Sequence, residues 1–148
     1  MMNMKEYVRL ADSKKPKIPK IKNALNAFIY GGVIGLIAQG ILDFFMNVFH
    51  YTQKEATPLM SITLVFIACL LTGLGVYDIL AKYAGAGTFI PITGFANSMS
   101  SSALDSKSEG LVLGIGANMF KLGGTVITYG IVSASLLGVI RYVFSLFG

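Results

Sequence analysis

The sequence contains no tryptophan, one cysteine and one histidine, and only 13% of its 148 residues are charged. Each shortage excludes something. Cys69 alone forms no intramolecular disulfide and no cysteine-rich metal site. A single histidine, His50, leaves no Cys/His cluster and no HExxH helix, and no nucleophile elbow or phosphate loop appears either. Enzymatic chemistry, a catalytic residue, a cofactor and a bound metal are therefore not expected. The run GLVLGIG from Gly110 has glycines spaced like a dinucleotide fingerprint but lacks the strand–turn–helix setting that gives those glycines their role. Without tryptophan, anchoring at a membrane interface falls to Tyr7, Tyr30, Tyr51, Tyr77, Tyr83, Tyr142 and the basic residues. A soluble domain carries about 25% charged residues. This chain is 54% hydrophobic with a mean hydropathy of +0.68, which reads as an integral membrane protein.

The charge that is present is unevenly placed. The net charge is +5, and seven of the twelve basic residues lie in the first 22: Lys5, Arg9, Lys14, Lys15, Lys17, Lys20 and Lys22. A basic cluster beside the first apolar run places the N-terminus in the cytoplasm, with attraction to anionic headgroups as a second use. No folded basic surface accompanies it, so nucleic-acid binding is not expected. The apolar run is also longer than the roughly 7–15 residues of a signal-peptide core.

Residues 1–22 read as a polar cytoplasmic segment broken by Pro16 and Pro19, and 23–148 as a single polytopic membrane domain. A first span is expected over about 23–50, since 20 uncharged residues separate Lys22 from Asp43. It carries small residues at i, i+4 spacing, with Gly31 and Gly35 forming a GxxxG pair suited to helix packing. A second span is expected over about 57–82, with Thr57 as N-cap and Pro58 at the first helical position. A last span is expected over about 122–146, again with a small-residue row through Gly130 and Gly138.

Between the second and last spans lies a broken element, 85–122. Gly85 and Gly87 delay a helix, Pro91 and Gly94 loosen its start, and a short helix follows to about Ser106. Asp105, Lys107 and Glu109 then form a charged turn. The next apolar piece, Gly110 to Phe120, has 11 residues, about 16 Å of helix and too short for a bilayer core of roughly 30 Å. A re-entrant hairpin and a further full crossing both remain open. The fold expected is an all-α membrane protein with about three full transmembrane helices plus a broken or re-entrant helical hairpin, working as an oligomer.

Polar groups at membrane depth are costly and often mark a permeation path. Gln39 and Asp43 at the end of the first span, Asp78 at the end of the second, and Lys121 between apolar runs are the strongest such candidates. Pro91, Thr93, Gly94, Asn97, Ser98 and Asn118 add a helix start and neutral hydrogen-bonding groups. A half-helix beginning near Thr93 would aim free N–H groups at an anion. Plain packing, interface snorkelling and polar glue between helices account for the same residues without a pore.

The segments GTFIPITGFANSM (Gly87–Met99), SEGLVLGIGANMFKLGG (Ser108–Gly124) and GLGVYDILAKYAGAG (Gly73–Gly87) resemble the SpoVA membrane proteins of endospore-forming bacteria. The resemblance covers about residues 5–148. The basic N-terminus and IYGGVIGLIAQGILDFF (Ile29–Phe45) bring the chain nearest the AC-type branch. The resemblance implies a spore inner-membrane protein that helps move dipicolinic acid with calcium into the forming spore and releases it at germination. It further implies mechanosensitive channel activity and assembly with other SpoVA subunits, the AE-type paralogue among them. A structural subunit without its own pore, and a small transporter coupled to protons through Asp43 or Asp78, are the competing readings.

Overall fold

The computed structural model describes residues 3–14 and 19–147. Lys15, Pro16 and Lys17 of the basic segment lie outside the described residues. The elements are α1 (Met4–Ser13), α2 (Lys20–Val48), α3 (Gln53–Gly73), α4 (Tyr77–Ala84), α5 (Ala86–Phe89), α6 (Ile92–Asp105) and α7 (Ala117–Phe147). A 3-10 turn at Lys107–Glu109 and a π-helical turn at Leu111–Gly116 join α6 to α7. The described residues contain no strand.

Three helical runs are long and apolar enough to cross a bilayer: Lys20–Val48, Gln53–Gly73 and Leu111–Leu146. The first two differ usefully from expectation. Helix α3 starts at Gln53, four residues before Thr57, because the Glu55 carboxylate accepts hydrogen bonds from the Thr52 backbone N–H at 3.0 Å and its hydroxyl at 2.8 Å. That local cap outcompetes the Thr57-Pro58 start, and Pro58 lies inside the helix. At its other end α3 stops at Gly73 rather than running on to 82. The chain turns through Gly75, whose φ is 72°, and α4 begins as a separate helix.

This turn matters because it sends α4 and α5 back against α2 and α3. Tyr77 is only 5% exposed and joins Ala68 and Ala96 in the small core. It is therefore not the interface anchor its position in the sequence suggested. Gly85, at φ 52°, supplies the left-handed backbone that separates α4 from α5. Helix α5 then lies directly on α2. A Cβ on Gly87 would collide with the Ala27 carbonyl and sit 2.9 Å from the Gly31 nitrogen. Gly31 is thus used against Gly87 within the chain, whereas Gly35, Gly130 and Gly138 have no intramolecular neighbour for a Cβ within 4 Å.

Helix α7 runs back along α6. Asn118 meets Ser106, a Cβ on Gly123 would be 3.9 Å from Met99, and Leu122 and Val126 share a recess with Pro91, Gly94 and Ser98. Lys121 is consequently inside a continuous helix. From Gly124 onward every described side chain of α7 is exposed, and beyond Val126, which still borders that recess, this half presents its side chains outward. An all-round apolar helix without protein partners belongs against lipid or other subunits.

Candidate functional site

The broken element converges on the start of α6. Pro91 takes the N-cap position with φ −63° and ψ 163°, the conformation its ring favours before a helix. Its carbonyl accepts from the Gly94 N–H at 2.9 Å. Helix α5 crosses directly over this first turn: a Cβ on Gly94 would sit 2.5 Å from the carbonyl oxygens of Thr88 and Phe89. Only glycine permits that approach. The Tyr77 hydroxyl completes the junction by donating to the Thr88 carbonyl at 3.0 Å.

Along α6 the polar side chains are held one by one. Ser98 donates to the Gly94 carbonyl at 3.0 Å. Thr72 Oγ1 on α3 lies 2.7 Å from both the Ala68 carbonyl oxygen and Asn97 Oδ1. A hydroxyl can donate to one partner and accept from another, so Thr72 donating to the Ala68 carbonyl can also accept from the Asn97 amide once its Nδ2 faces the hydroxyl. Thr93 differs: its Oγ1 is buried and has no hydrogen-bond partner. Leaving a hydroxyl so costs about 1–3 kcal/mol. Ser100, Ser101 and Ser102 are half-buried and continue the polar run toward the far end of α6.

At that far end Asn118 donates to Ser106 Oγ at 2.8 Å and to the Gly114 carbonyl at 3.1 Å. Gly114 is buried and has no room for a Cβ beside the Ser106 carbonyl. Asn118 therefore clamps the tip of the α6–α7 hairpin.

The remaining sequence candidates stand apart. Gln39 donates to Asp43 Oδ1 at 2.8 Å on an exposed face of α2. Asp78 is exposed in the first turn of α4, and Lys82 occupies its last turn. That arrangement complements the helix dipole. Lys121 is exposed on α7. No hydrogen bond among the described residues joins Gln39, Asp43, Asp78 or Lys121 to α6. The start of α6 is flanked by exposed Phe89, Ile90 and Ile92, and these apolar neighbours supply no cation to assist an anion there. Thr72, Tyr77, Gly87, Thr88, Ser106 and Gly114 were not among the sequence candidates, and each fixes the broken element in place. The one sequence signal near them was the small residues themselves, Gly85 and Gly87 in the broken element and Ala27 and Gly31 on α2, of which Gly87 meets the latter two.

Three long apolar helices and a glycine-broken helical element define a polytopic membrane protein. Among the described residues no group of three or more His, Cys, Asp or Glu could hold a metal. Residues 23–140 match the family of SpoVAC/SpoVAEB sporulation membrane proteins, and the chain belongs to that family. It is 48% identical over 145 residues to stage V sporulation protein AC of Bacillus subtilis (strain 168), covering 97% of each chain. No solved structure matches it.

Proposed function

We propose that this chain is a subunit of a spore inner-membrane channel that passes dipicolinic acid with calcium, inward during sporulation and outward at germination. The observation that carries this reading is the polar run of α6. Asn97, Ser98, Ser100, Ser101 and Ser102 are all half-buried in a chain of long apolar helices. Polar groups at membrane depth are expensive and gather around aqueous paths. Irregular backbone such as the Gly85 and Pro91 breaks is tolerated there only beside protein or water. Membrane tension would act by tilting α2, α3 and α7 about the α5–α2 contact at Gly87. The N-terminus faces the spore core, in keeping with its basic cluster.

One chain encloses too little for a pore, and the bare half of α7 offers surface to more subunits. Copies of this chain or other SpoVA members, the AE-type paralogue included, complete the path. That same bare half of α7 favours a second reading, in which the chain serves only to assemble a complex whose path lies elsewhere. Vesicles loaded with calcium dipicolinate separate the two. Efflux on osmotic downshift from vesicles holding this chain alone supports conduction by its own copies. Efflux that needs a paralogue, and that persists when the α6 serines are replaced by alanine, supports the assembly role.

A further inference from the structure

A cavity of about 310 Å3 opens between α2 and α3 beside the α4–α5 segment. Its floor is formed by Ala68, Tyr77, Thr88 and Thr93, each 7% exposed or less. Its rim is formed by Val33 and Ile37 on α2 and Ile67 on α3, which are between 39% and 49% exposed. The rim residues belong to two helices long and apolar enough to span a bilayer, so the mouth opens on hydrocarbon rather than on water. We propose that this cavity is a lipid site that takes one acyl chain of a bilayer phospholipid.

Three observations lead to this occupant. The wall is almost entirely apolar, with side chains of Val, Ile, Leu, Ala and Tyr around the two threonines. Apolar cavities stay dry, and one of about 150 Å3 holds benzene, so a space about twice that size takes a run of methylenes. A void left empty loses the dispersion contacts of its whole lining. The same wall excludes a dianion, which would lose its hydration for no compensating charge, so the cavity is separate from any path for dipicolinate. Finally, the Tyr77 and Thr88 hydroxyls are already paired and the Thr93 hydroxyl is buried rather than open to the cavity, so the floor offers no exposed polar group that would hold water or a polar ligand. An acyl chain covers Tyr77 and Thr88 from the open side and so shields the hydrogen bond that holds α5 in place. The inference does not depend on what the protein conducts.

The test uses the full chain in vesicles containing a phospholipid with a diazirine midway along one acyl chain. Photolysis and peptide mapping locate the adducts. Adducts at residues 64–71 and 30–37, exceeding those on the exposed half of α7 between 126 and 143, are expected. Ile34→Trp or Leu71→Trp, each adding bulk at the wall, should reduce the cavity adducts severalfold while the α7 adducts persist. The α7 adducts report that the variant is folded and inserted. Equal labelling of cavity and α7 in the parent, or cavity labelling untouched by both tryptophans, overturns the proposal. A photoreactive free fatty acid at the same mole fraction is the second arm. Cavity labelling by it alone, without the phospholipid, overturns the assignment of the occupant.

Discussion

The phenolic hydroxyl of Tyr77 on α4 donates to the backbone carbonyl of Thr88 on α5, 3.0 Å away, and both residues are at least 95% buried. This one bond closes the loop formed when the chain turns back after α3. It satisfies a carbonyl that a four-residue helix cannot satisfy internally.

Tyr77→Phe removes the donor and leaves that carbonyl buried without a partner. The expected loss is about 1–3 kcal/mol, read as a lower thermal midpoint in detergent. Hydrogen exchange should rise at residues 86–89 before it rises in α2 or α3. An unchanged exchange rate at 86–89 would mean that the bond does not hold α5.

Gly87→Ala places a methyl against the Ala27 carbonyl, and no flexible side chain is there to yield. Overpacking of this kind costs about 1–3 kcal/mol and should lower the folded yield. Gly35→Ala is the control. It meets nothing within the chain, and alanine suits a helix better than glycine by about 1 kcal/mol. Loss of yield in Gly35→Ala, with Gly87→Ala unaffected, would reverse the assignment of which glycine carries the contact.

The three long helices and the broken element were legible from uncharged run lengths and from Pro91 and the glycines around it. Those signals are local. What the sequence did not disclose depends on contacts between distant residues. Gly73 and Gly75 just before Tyr77 are the local signal that the helix ends, but the uncharged run continues through Tyr77, and run length alone carried the expected span past them. The Gly31/Gly35 pair looked like one packing motif, yet its two glycines have different environments, since only Gly31 meets Gly87. Gln39, Asp43, Asp78 and Lys121 were conspicuous by polarity. Their neighbours, however, are their own helices or the exterior, while the residues that position α6 are uncharged and mostly small.

Thr72→Val and Asn97→Ala test the α3–α6 contact. Each removes one side of a 2.7 Å hydrogen bond. A double-mutant cycle on thermal stability should give a coupling energy of about 0.5–1.5 kcal/mol. Additive effects would mean that Thr72 is served by the Ala68 carbonyl alone.

Thr93→Val replaces an unpartnered buried hydroxyl with a methyl of similar shape. The folded chain should be more stable by about 1–2 kcal/mol, seen as a higher thermal midpoint. A lower midpoint would show that the hydroxyl has a partner in the membrane-embedded protein.

Lys121→Glu should slow dipicolinate efflux from vesicles while the amount of inserted protein is unchanged, if α7 borders the path. Unchanged efflux would remove Lys121 from it.

The central claim is that the path for dipicolinate runs along α6. Its most direct test begins by replacing Cys69 with alanine and introducing single cysteines in turn for Asn97, Ser98 and Ser101, with Leu136 on α7 as the control. A water-soluble, membrane-impermeant thiol reagent is then added during tension-driven efflux. Modification of the α6 cysteines should block efflux, and the Leu136 cysteine should have no effect. Efflux that continues with all three α6 positions modified, or α6 cysteines that never react while efflux proceeds, would contradict the claim.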